Sequence, residues 1–287
     1  MCEIFAMSSR FEENISTSLD EFSRHGGSTS DHKDGWGIAF YEEGDVHLIR
    51  ESQAASASSY MEFIRNREFN SKTFICHIRK ATQGEVTLRN THPFVREMSA
   101  KMHVFAHNGK LGAFDQEQKL TGRFQPVGES DSEFTFCYLL DALAPLWQSG
   151  TVPDLDKRMD VISKFAKKIR SYGPANFIYA DGDALFVHGH ERIQADGKIA
   201  PPGLFKLCRF CQSEKSPTVS KTELQKTRNK VQQVSLVASV PLSGEEWTRL
   251  ESGELLAIRD GRVIMEENSS GDREICHKTT ALLSPPL

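Results

Sequence analysis

The second residue of the chain is a cysteine, and its position makes it a candidate nucleophile. Methionine aminopeptidases remove an initiator methionine when the next side chain is small, so Cys2 is expected to become the mature N-terminus. Its α-amine, with a pKa of about 7.7–8.0, could then take the proton from its own thiol, whose pKa is about 8.5. Cys2 would thus carry both nucleophile and base. A small buried residue in a first strand is the alternative.

Further clusters contain side chains that could bind a substrate. In chain order they are Asp34-Gly35-Trp36-Gly37, His77-Ile78-Arg79-Lys80-Ala81-Thr82, Asn90-Thr91-His92-Pro93, Ala106-His107-Asn108-Gly109 and Gly128-Glu129-Ser130-Asp131-Ser132-Glu133. Arg79 follows a predicted strand, where a guanidinium could hold a carboxylate in bidentate geometry or simply end the strand at the surface. Asp131 could complement it by binding an ammonium group, or could cap a helix that begins at Ser132. By itself, Asn108-Gly109 is a turn signal.

The elements that must position these residues are mostly strands, with helices in the middle of the chain. Apolar runs predict strands at Cys2–Met7, Gly37–Tyr41, Val46–Ile49, Thr73–Ile78, His103–His107, Asn176–Tyr179, Ala184–Val187, Leu204–Phe210, Val234–Val240 and Leu255–Ile258. Helical spacing predicts helices at Ile15–Arg24, Tyr60–Arg65, Ser132–Leu146 and Leu155–Ile169. The order of strands, then helices, then strands favours a layered α+β domain over alternating βαβ units.

Length and composition exclude several classes of protein. The chain has 287 residues, of which 38% are hydrophobic and 26% charged, with a net charge of -4. That balance offers no concentrated basic face for nucleic acid. No apolar run approaches the length of a membrane span, and the N-terminus turns polar too early for a signal peptide. The six cysteines are too sparse for a disulfide framework, so a cytoplasmic protein is expected.

The clusters, in this order behind Cys2, resemble those of the class II glutamine amidotransferases, and most closely the stand-alone members without a synthase domain. The resemblance covers roughly residues 2–258. It implies the N-terminal-nucleophile hydrolase fold, a four-layer αββα sandwich. It also implies that Cys2 is the nucleophile, that Asn108 and Gly109 form the oxyanion hole, and that Arg79 and Asp131 bind the α-carboxylate and α-ammonium of glutamine.

The resemblance also bears on four more residues near the expected substrate site. Thr82 belongs to a loop, residues 80–85, that closes over glutamine in the family. Lys80 stands where several synthase-linked members have an aromatic residue. Trp36 could form a wall of the pocket or belong to the core, and His92 is expected to order the site, since the α-amine already serves as the base.

A metal site is not expected. His103 and His107 have helical spacing but lie in a predicted strand, and Cys208 with Cys211 forms at most half of a zinc site. We expect one domain at residues 1–265 and a polar C-terminal tail at residues 266–287. The polar stretch 212–228 is predicted to be a mobile surface loop in preference to a binding arm.

These features predict a glutaminase that releases ammonia from glutamine through a γ-glutamyl thioester on Cys2, without a cofactor. One alternative is a γ-glutamyl hydrolase that acts on a γ-glutamyl peptide or thiol conjugate. A second is a non-catalytic glutamine-sensing subunit, which the presence of Cys2, Asn108 and Gly109 together disfavours. Because no synthase sequence follows Ile258, an ammonia-accepting synthase or hydrolase is expected to be a separate partner protein.

Overall fold

The structure is a computed structural model that describes residues 1–67, 69–148, 151–194, 196–212 and 231–276. The predicted surface loop at residues 212–228 lies outside these ranges from residue 213 onward. Within them, no helix is long and apolar enough to cross a membrane.

More of the described residues belong to strands than to helices. The strands are β1 (Glu3–Asn14), β2 (Trp36–Glu42), β3 (Asp45–Glu51), β4 (Asn70–Ile78), β5 (Phe94–Met98), β6 (Lys101–Gly109), β7 (Ala175–Ala180), β8 (Leu185–His188), β9 (Arg192–Ile193), β10 (Ile199–Ala200), β11 (Phe205–Gln212), β12 (Val231–Ala238), β13 (Thr248–Arg249), β14 (Leu255–Arg259), β15 (Arg262–Glu267) and β16 (Arg273–Ile275). Their order is β13-β11-β12-β1-β4-β2-β3 in the first large sheet and β16-β15-β14-β8-β7-β6-β5 in the second, while β9 and β10 form a separate ribbon. All of these pairings are antiparallel.

The alternation of side chains in β1 explains how the two sheets stack. Ile4 and Ala6 enter an apolar layer that also contains Val104 from the second sheet. Phe5 and Met7 point to the opposite face of the first sheet, where they join a second apolar cluster. The first sheet is therefore buried on both faces, and its central strand reads as a continuous apolar run.

Helices cover the outer face of each sheet. They are α1 (Ser16–His25), α2 (Ser59–Asn66), α3 (Phe114–Glu117), α4 (Asp131–Leu143) and α5 (Leu155–Arg170), with short 3₁₀ turns at Ala55–Ala57 and Leu88–Asn90. The apolar residues of α1 and α2 pack on the first sheet, and those of α4 and α5 pack on the second. The layers therefore follow the order helix, sheet, sheet, helix, and the expected αββα sandwich is confirmed.

Two local expectations differ from the structure. The first helix residue of α4 is Asp131, and the cap is Ser130, whose hydroxyl accepts the N–H of Glu133. Serine performs this role because its short side chain can reach back to the first free N–H groups of the helix. The second difference is at the C-terminal side, where β15 and β16 extend the second sheet past residue 265, so the expected domain boundary falls inside a sheet.

Candidate active site

Cys2 lies at the end of the central strand of the first sheet. It directly precedes β1, which lies between β12 and β4. Glu3 in β1 is paired with Ile78, the last residue of β4, so the chain after β4 leaves the sheet beside Cys2. The backbone N–H of Lys80 donates to Cys2 Sγ at 3.4 Å. The antiparallel register therefore brings the Arg79 loop and the thiol together.

The electrostatic surroundings keep the Cys2 thiol protonated. Burial raises its pKa, and neither the hydrogen bond from Lys80 nor the nearby charge of Arg79 cancels that effect. A protonated thiol is a poor nucleophile, because the thiolate is the reactive form. Nucleophilic chemistry at this position therefore requires a nearby base.

Asn108 is linked to the same end of the first sheet through a serine. Its side-chain Nδ2 donates to Ser239 Oγ at 3.0 Å, and the same oxygen accepts the backbone N–H of Ile4 at 3.0 Å. Asn108 is fully buried, and its Oδ1 has no hydrogen-bond partner among the described residues. The amide is thus fixed in orientation while retaining a second N–H on Nδ2 that could be donated.

Gly109 ends β6 at a point where another chain segment passes very close. A Cβ atom at this position would lie 1.8 Å from the backbone oxygen of Pro174. No rotamer change can relieve a clash with backbone, so any larger residue would displace the end of β6. The close approach therefore requires glycine here.

Arg79 is buried, and its guanidinium is bonded to its own loop. It donates to the backbone oxygen of Glu85 at 2.9 Å and to that of Gln83 at 3.0 Å. Among the described residues, no carboxylate lies within ion-pair distance of it. The positive charge of Arg79 is therefore met by neutral acceptors, which an incoming carboxylate could replace.

Asp131 presents a carboxylate at the N-terminus of α4. Its Oδ2 accepts the backbone N–H of Leu111 at 2.9 Å, and its Oδ1 accepts the hydroxyl of Ser132 at 3.2 Å. An ionised carboxylate can accept about four hydrogen bonds, so these two contacts leave capacity for a cationic donor. They also fix the plane of the carboxylate.

The loop of residues 80–85 is held at both ends. The backbone N–H of Ala81 donates to Asp34 Oδ2 at 2.8 Å. At the far end, the buried side chain of Asn90 donates to the backbone oxygen of Glu85 at 3.1 Å. Gly84 lies between these anchors with a φ of 72°, which other residues rarely adopt. Glycine at position 84 thus allows the turn between these two anchors.

Three buried histidines lie around the site. His92 stacks on His77, with ring centroids 4.1 Å apart, and His107 Nδ1 contacts Ser132 Oγ at 2.9 Å. Burial lowers the pKa of all three, that of His77 to about 3. They are therefore neutral at physiological pH and add no positive charge beside the thiol.

Most of the residues predicted for the site share one cleft. Its lining consists of Cys2, Arg79, Lys80, Thr82, Gln83, Asn90, His92, His107, Gly109, Ser130, Asp131 and Ser132. Asn108 is absent from that lining, but its chain neighbour Gly109 belongs to it. Trp36 lies in the core of the first sheet instead, where its ring nitrogen donates to Glu51 Oε2 at 3.1 Å.

Several residues of the site were not singled out from the sequence. Ser239 follows β12, more than 200 positions from Cys2, and only the pairing of β1 with β12 brings it close. Asn90 and Asp34 stood inside the quoted clusters, but their contacts with the Arg79 loop depend on tertiary structure. A buried asparagine between two loops has no distinctive sequence pattern.

Comparison with known proteins identifies the family to which this chain belongs. The family model described as "Glutamine amidotransferases class-II" matches residues 1–281. The chain therefore belongs to the class II glutamine amidotransferase family.

Individual relatives agree with that assignment. A Haemophilus influenzae protein named "Putative glutamine amidotransferase" is 34% identical over 268 residues, which cover 93% of this chain and 87% of the relative. The solved structure of a "predicted glutamine amidotransferase" from Pseudomonas aeruginosa has a TM-score of 0.64 at 29% identity and covers 92% of this chain and 99% of its own. A phosphoribosylpyrophosphate amidotransferase from B. subtilis, at 17% identity and a TM-score of 0.54, covers 96% of this chain and 49% of its own and supports the fold alone.

Proposed function

We propose that this protein is a glutaminase in which the mature N-terminal residue, Cys2, forms a γ-glutamyl thioester and releases ammonia. The observation that carries this proposal is that a thiol, a carboxylate and a guanidinium with no ion-pair partner among the described residues line one cleft. Arg79 and Asp131 match the two charged groups of a free α-amino acid. With those two groups bound, the side chain of the amino acid is available to react with Cys2.

The reaction begins with proton transfer from the Cys2 thiol to its own α-amine, directly or through a water. The thiolate attacks the side-chain carbonyl carbon of glutamine, and the electron pair of the C=O bond moves to oxygen. The second N–H of Asn108 Nδ2 and the backbone N–H of Gly109 stabilise this oxyanion. When the tetrahedral intermediate collapses, the C–N bond breaks and the α-ammonium returns its proton to the departing ammonia.

Water completes the cycle. The α-amine takes a proton from a water molecule, whose oxygen attacks the thioester carbon. Breaking the C–S bond regenerates the thiol of Cys2 and releases glutamate. When the substrate binds, its carboxylate replaces the loop carbonyls as the hydrogen-bond acceptor of Arg79. This contact holds the reacting carbon in line with the Cys2 sulfur during both steps.

Covalent labelling tests the nucleophile directly. A glutamine analogue with an electrophile at its side-chain terminus should modify Cys2 alone, as mapped by peptide mass spectrometry on protein purified without an N-terminal tag. Intact mass should show that Met1 has been removed. Labelling at Cys76 or Cys208, or full glutaminase activity in protein that retains Met1, would contradict the mechanism.

A pair of variants separates chemistry from binding. Asn108→Ala should chiefly lower kcat, by about 100-fold or more, because it removes a donor to the oxyanion. Asp131→Asn should chiefly raise KM, because the neutral amide no longer attracts the substrate ammonium. If Asn108→Ala keeps kcat within about twofold of the wild type, Asn108 is not part of an oxyanion hole.

A panel of substrates tests which leaving group the enzyme accepts on the γ-glutamyl carbonyl. Arg79 and Asp131 recognise only the α-amino-acid end, so glutamine should be assayed beside γ-glutamyl amides, peptides and thiol conjugates. For the isolated protein we expect kcat/KM for glutamine below the usual enzyme range of about 10⁴–10⁸ M⁻¹s⁻¹, with stimulation by an ammonia-accepting partner. A compound turned over about 100-fold more efficiently than glutamine would assign the protein as a γ-glutamyl hydrolase.

A further inference from the structure

His32 lies beside the peptide group that becomes the N-terminus when Met1 is removed. Its Nε2 is 2.5 Å from the carbonyl oxygen of Met1. That oxygen and the nitrogen of Cys2 belong to the same peptide group, so Nε2 lies at most about 5 Å from that nitrogen. The side chain of His32 is only 11% exposed, so its position is set by the surrounding structure.

With a neutral imidazole, the contacts of His32 and Ser30 need one more hydrogen than these two side chains can supply. Ser30 Oγ donates to the backbone oxygen of His25 at 2.6 Å and also contacts His32 Nδ1, while His32 Nε2 contacts Met1. These three hydrogen bonds require three hydrogens. The Ser30 hydroxyl has one and a neutral imidazole has one.

Removal of Met1 resolves the shortage. Ser30 can then donate to His25, and His32 Nδ1–H can donate to Ser30, which leaves a lone pair on Nε2. The group that faces this lone pair is no longer a carbonyl oxygen but an amine, which has hydrogens to donate. With a neutral imidazole, the network is therefore complete once Met1 has been removed.

The charge environment favours the neutral form of His32. Burial lowers its pKa, and the carboxylate of Glu3, whose Oε1 is 3.9 Å from Nδ1, only partly opposes that effect. His25 is bonded to the other oxygen of Glu3 at 2.7 Å. The charged or titratable groups around the Met1 amine are Cys2, Glu3, Lys80 and Arg192, and those around Cys2 itself include Arg79 and Asp131.

We propose that His32 positions the α-amine of mature Cys2 by accepting one of its N–H bonds at Nε2. The lone pair of the amine is then directed toward the thiol, as the base needs. Ser30 holds the imidazole in the required tautomer. This role rests on the proposed function of Cys2 as an N-terminal nucleophile, and it makes His32 a positioning residue.

Kinetics of two variants test the proposal. His32→Ala, purified without a tag and with loss of Met1 verified by mass, should lower kcat about tenfold, the equivalent of about one hydrogen bond at 1.4 kcal/mol. Its KM for glutamine should stay within about twofold, because the substrate contacts are elsewhere. His32→Gln should recover most of kcat, because its amide oxygen can also accept an N–H. His47→Ala is the control, since His47 is exposed and bonded to Glu42.

A titration separates this role from general stability. An ammonium that donates to Nε2 is stabilised, so the α-amine pKa should be lower in His32→Ala than in the wild type, and intermediate in His32→Gln. The ¹³C shift of Cys2 Cα in cysteine-labelled protein reports this pKa without any turnover. Glu3, Lys80, Arg192 and the Cys2 thiol are present in every variant, so the difference reports His32.

The outcomes are distinct. An unchanged kcat and an unchanged amine pKa in His32→Ala would overturn the proposal, and so would a fall in kcat that His32→Gln fails to restore. Failure of the proposed function has a different signature. In that case Cys2→Ala, which has no nucleophile at this position, would retain glutaminase activity, whereas the ¹³C titration of the wild type and the His32 variants would still show whether His32 binds the amine.

Discussion

Arg79 and Arg158 are both buried guanidinium groups, but their partners differ. Arg158, in α5, is 1% exposed and donates to carboxylate oxygens of Asp181 and Asp183, each at 2.6 Å. Arg79 is 4% exposed and donates to backbone carbonyls of the loop that follows it. Arg158 is therefore ion-paired, whereas Arg79 has no ion pair among the described residues, and of the carboxylates only that of Asp34 lies near enough to favour its charged form.

The difference distinguishes a structural cation from a binding site. Placing a charge away from water is costly unless an opposite charge compensates it. At Arg158 the protein supplies that compensation, and Arg259 also contacts Asp183 to extend the network. At Arg79 the compensation is left to a carboxylate from outside, which is the physical basis for assigning it to substrate binding.

The largest effect is expected at Arg158. Arg158→Ala leaves Asp181 buried without its cation and should lower the free energy of unfolding by about 3–5 kcal/mol, measured by urea denaturation. KM for glutamine in the folded fraction should not change. Arg24→Ala is the matched control, because the Arg24–Glu21 pair is exposed and should contribute little. Equal losses in the two variants would remove the contrast between the arginines.

At Arg79 we expect a large change in KM and a smaller change in stability. Arg79→Met should raise KM for glutamine by about 10- to 150-fold, corresponding to the loss of about 1.5–3 kcal/mol of charged hydrogen bonding. Arg79→Lys should recover only part of this, because an ammonium cannot reproduce the bidentate contact. Stability should fall less than in Arg158→Ala, since only bonds to neutral carbonyls are lost. A KM within twofold of the wild type would exclude a substrate contact.

The neutral histidines of the site predict a pH dependence of stability. Burial lowers the pKa of His77 to about 3, against about 6.5 in an unfolded chain. Between these values the unfolded state binds a proton that the folded state does not, so stability is lost as the pH falls. From pH 7 to pH 5 this amounts to about 2 kcal/mol.

Comparison with His77→Phe isolates this contribution. The difference in unfolding free energy between pH 7 and pH 5 should be about 2 kcal/mol smaller in the variant than in the wild type. An unchanged difference in His77→Phe would mean that His77 is protonated in the folded protein at pH 5.

Much of this site could be predicted from the sequence, because several of its residues lie at the ends of recognisable strands. Arg79 follows β4 directly, and Asn108 and Gly109 end β6. An apolar run identifies a strand, and the polar residues after it are brought to the rim of a sheet. The αββα layers were predicted from the family resemblance, whereas the order of elements alone indicated only a layered α+β domain.

What the sequence could not supply depends on distant pairing. His32 and Ser239 have no local pattern. Ser239 reaches Ile4 through the pairing of β1 with β12, and His32, between α1 and β2, contacts Met1, which is 31 positions away. Trp36 shows the opposite problem. It lies within a motif beside the site, but it is the first residue of β2 and is directed into the core, where its ring is fully buried. Proximity in sequence does not determine which face of a strand a residue occupies.

The smallest predicted effect concerns the start of α4. Ser130→Ala removes the acceptor for the N–H of Glu133 and should lower the free energy of unfolding by about 1 kcal/mol. Asp131→Asn is the matched variant: its amide oxygen can still accept the N–H of Leu111, so stability should change less while KM rises. A larger stability loss in Asp131→Asn than in Ser130→Ala would show that the carboxylate chiefly serves the helix. It would then resemble Arg158, a charge whose partners are all internal, and the case for an ammonium site at Asp131 would be lost.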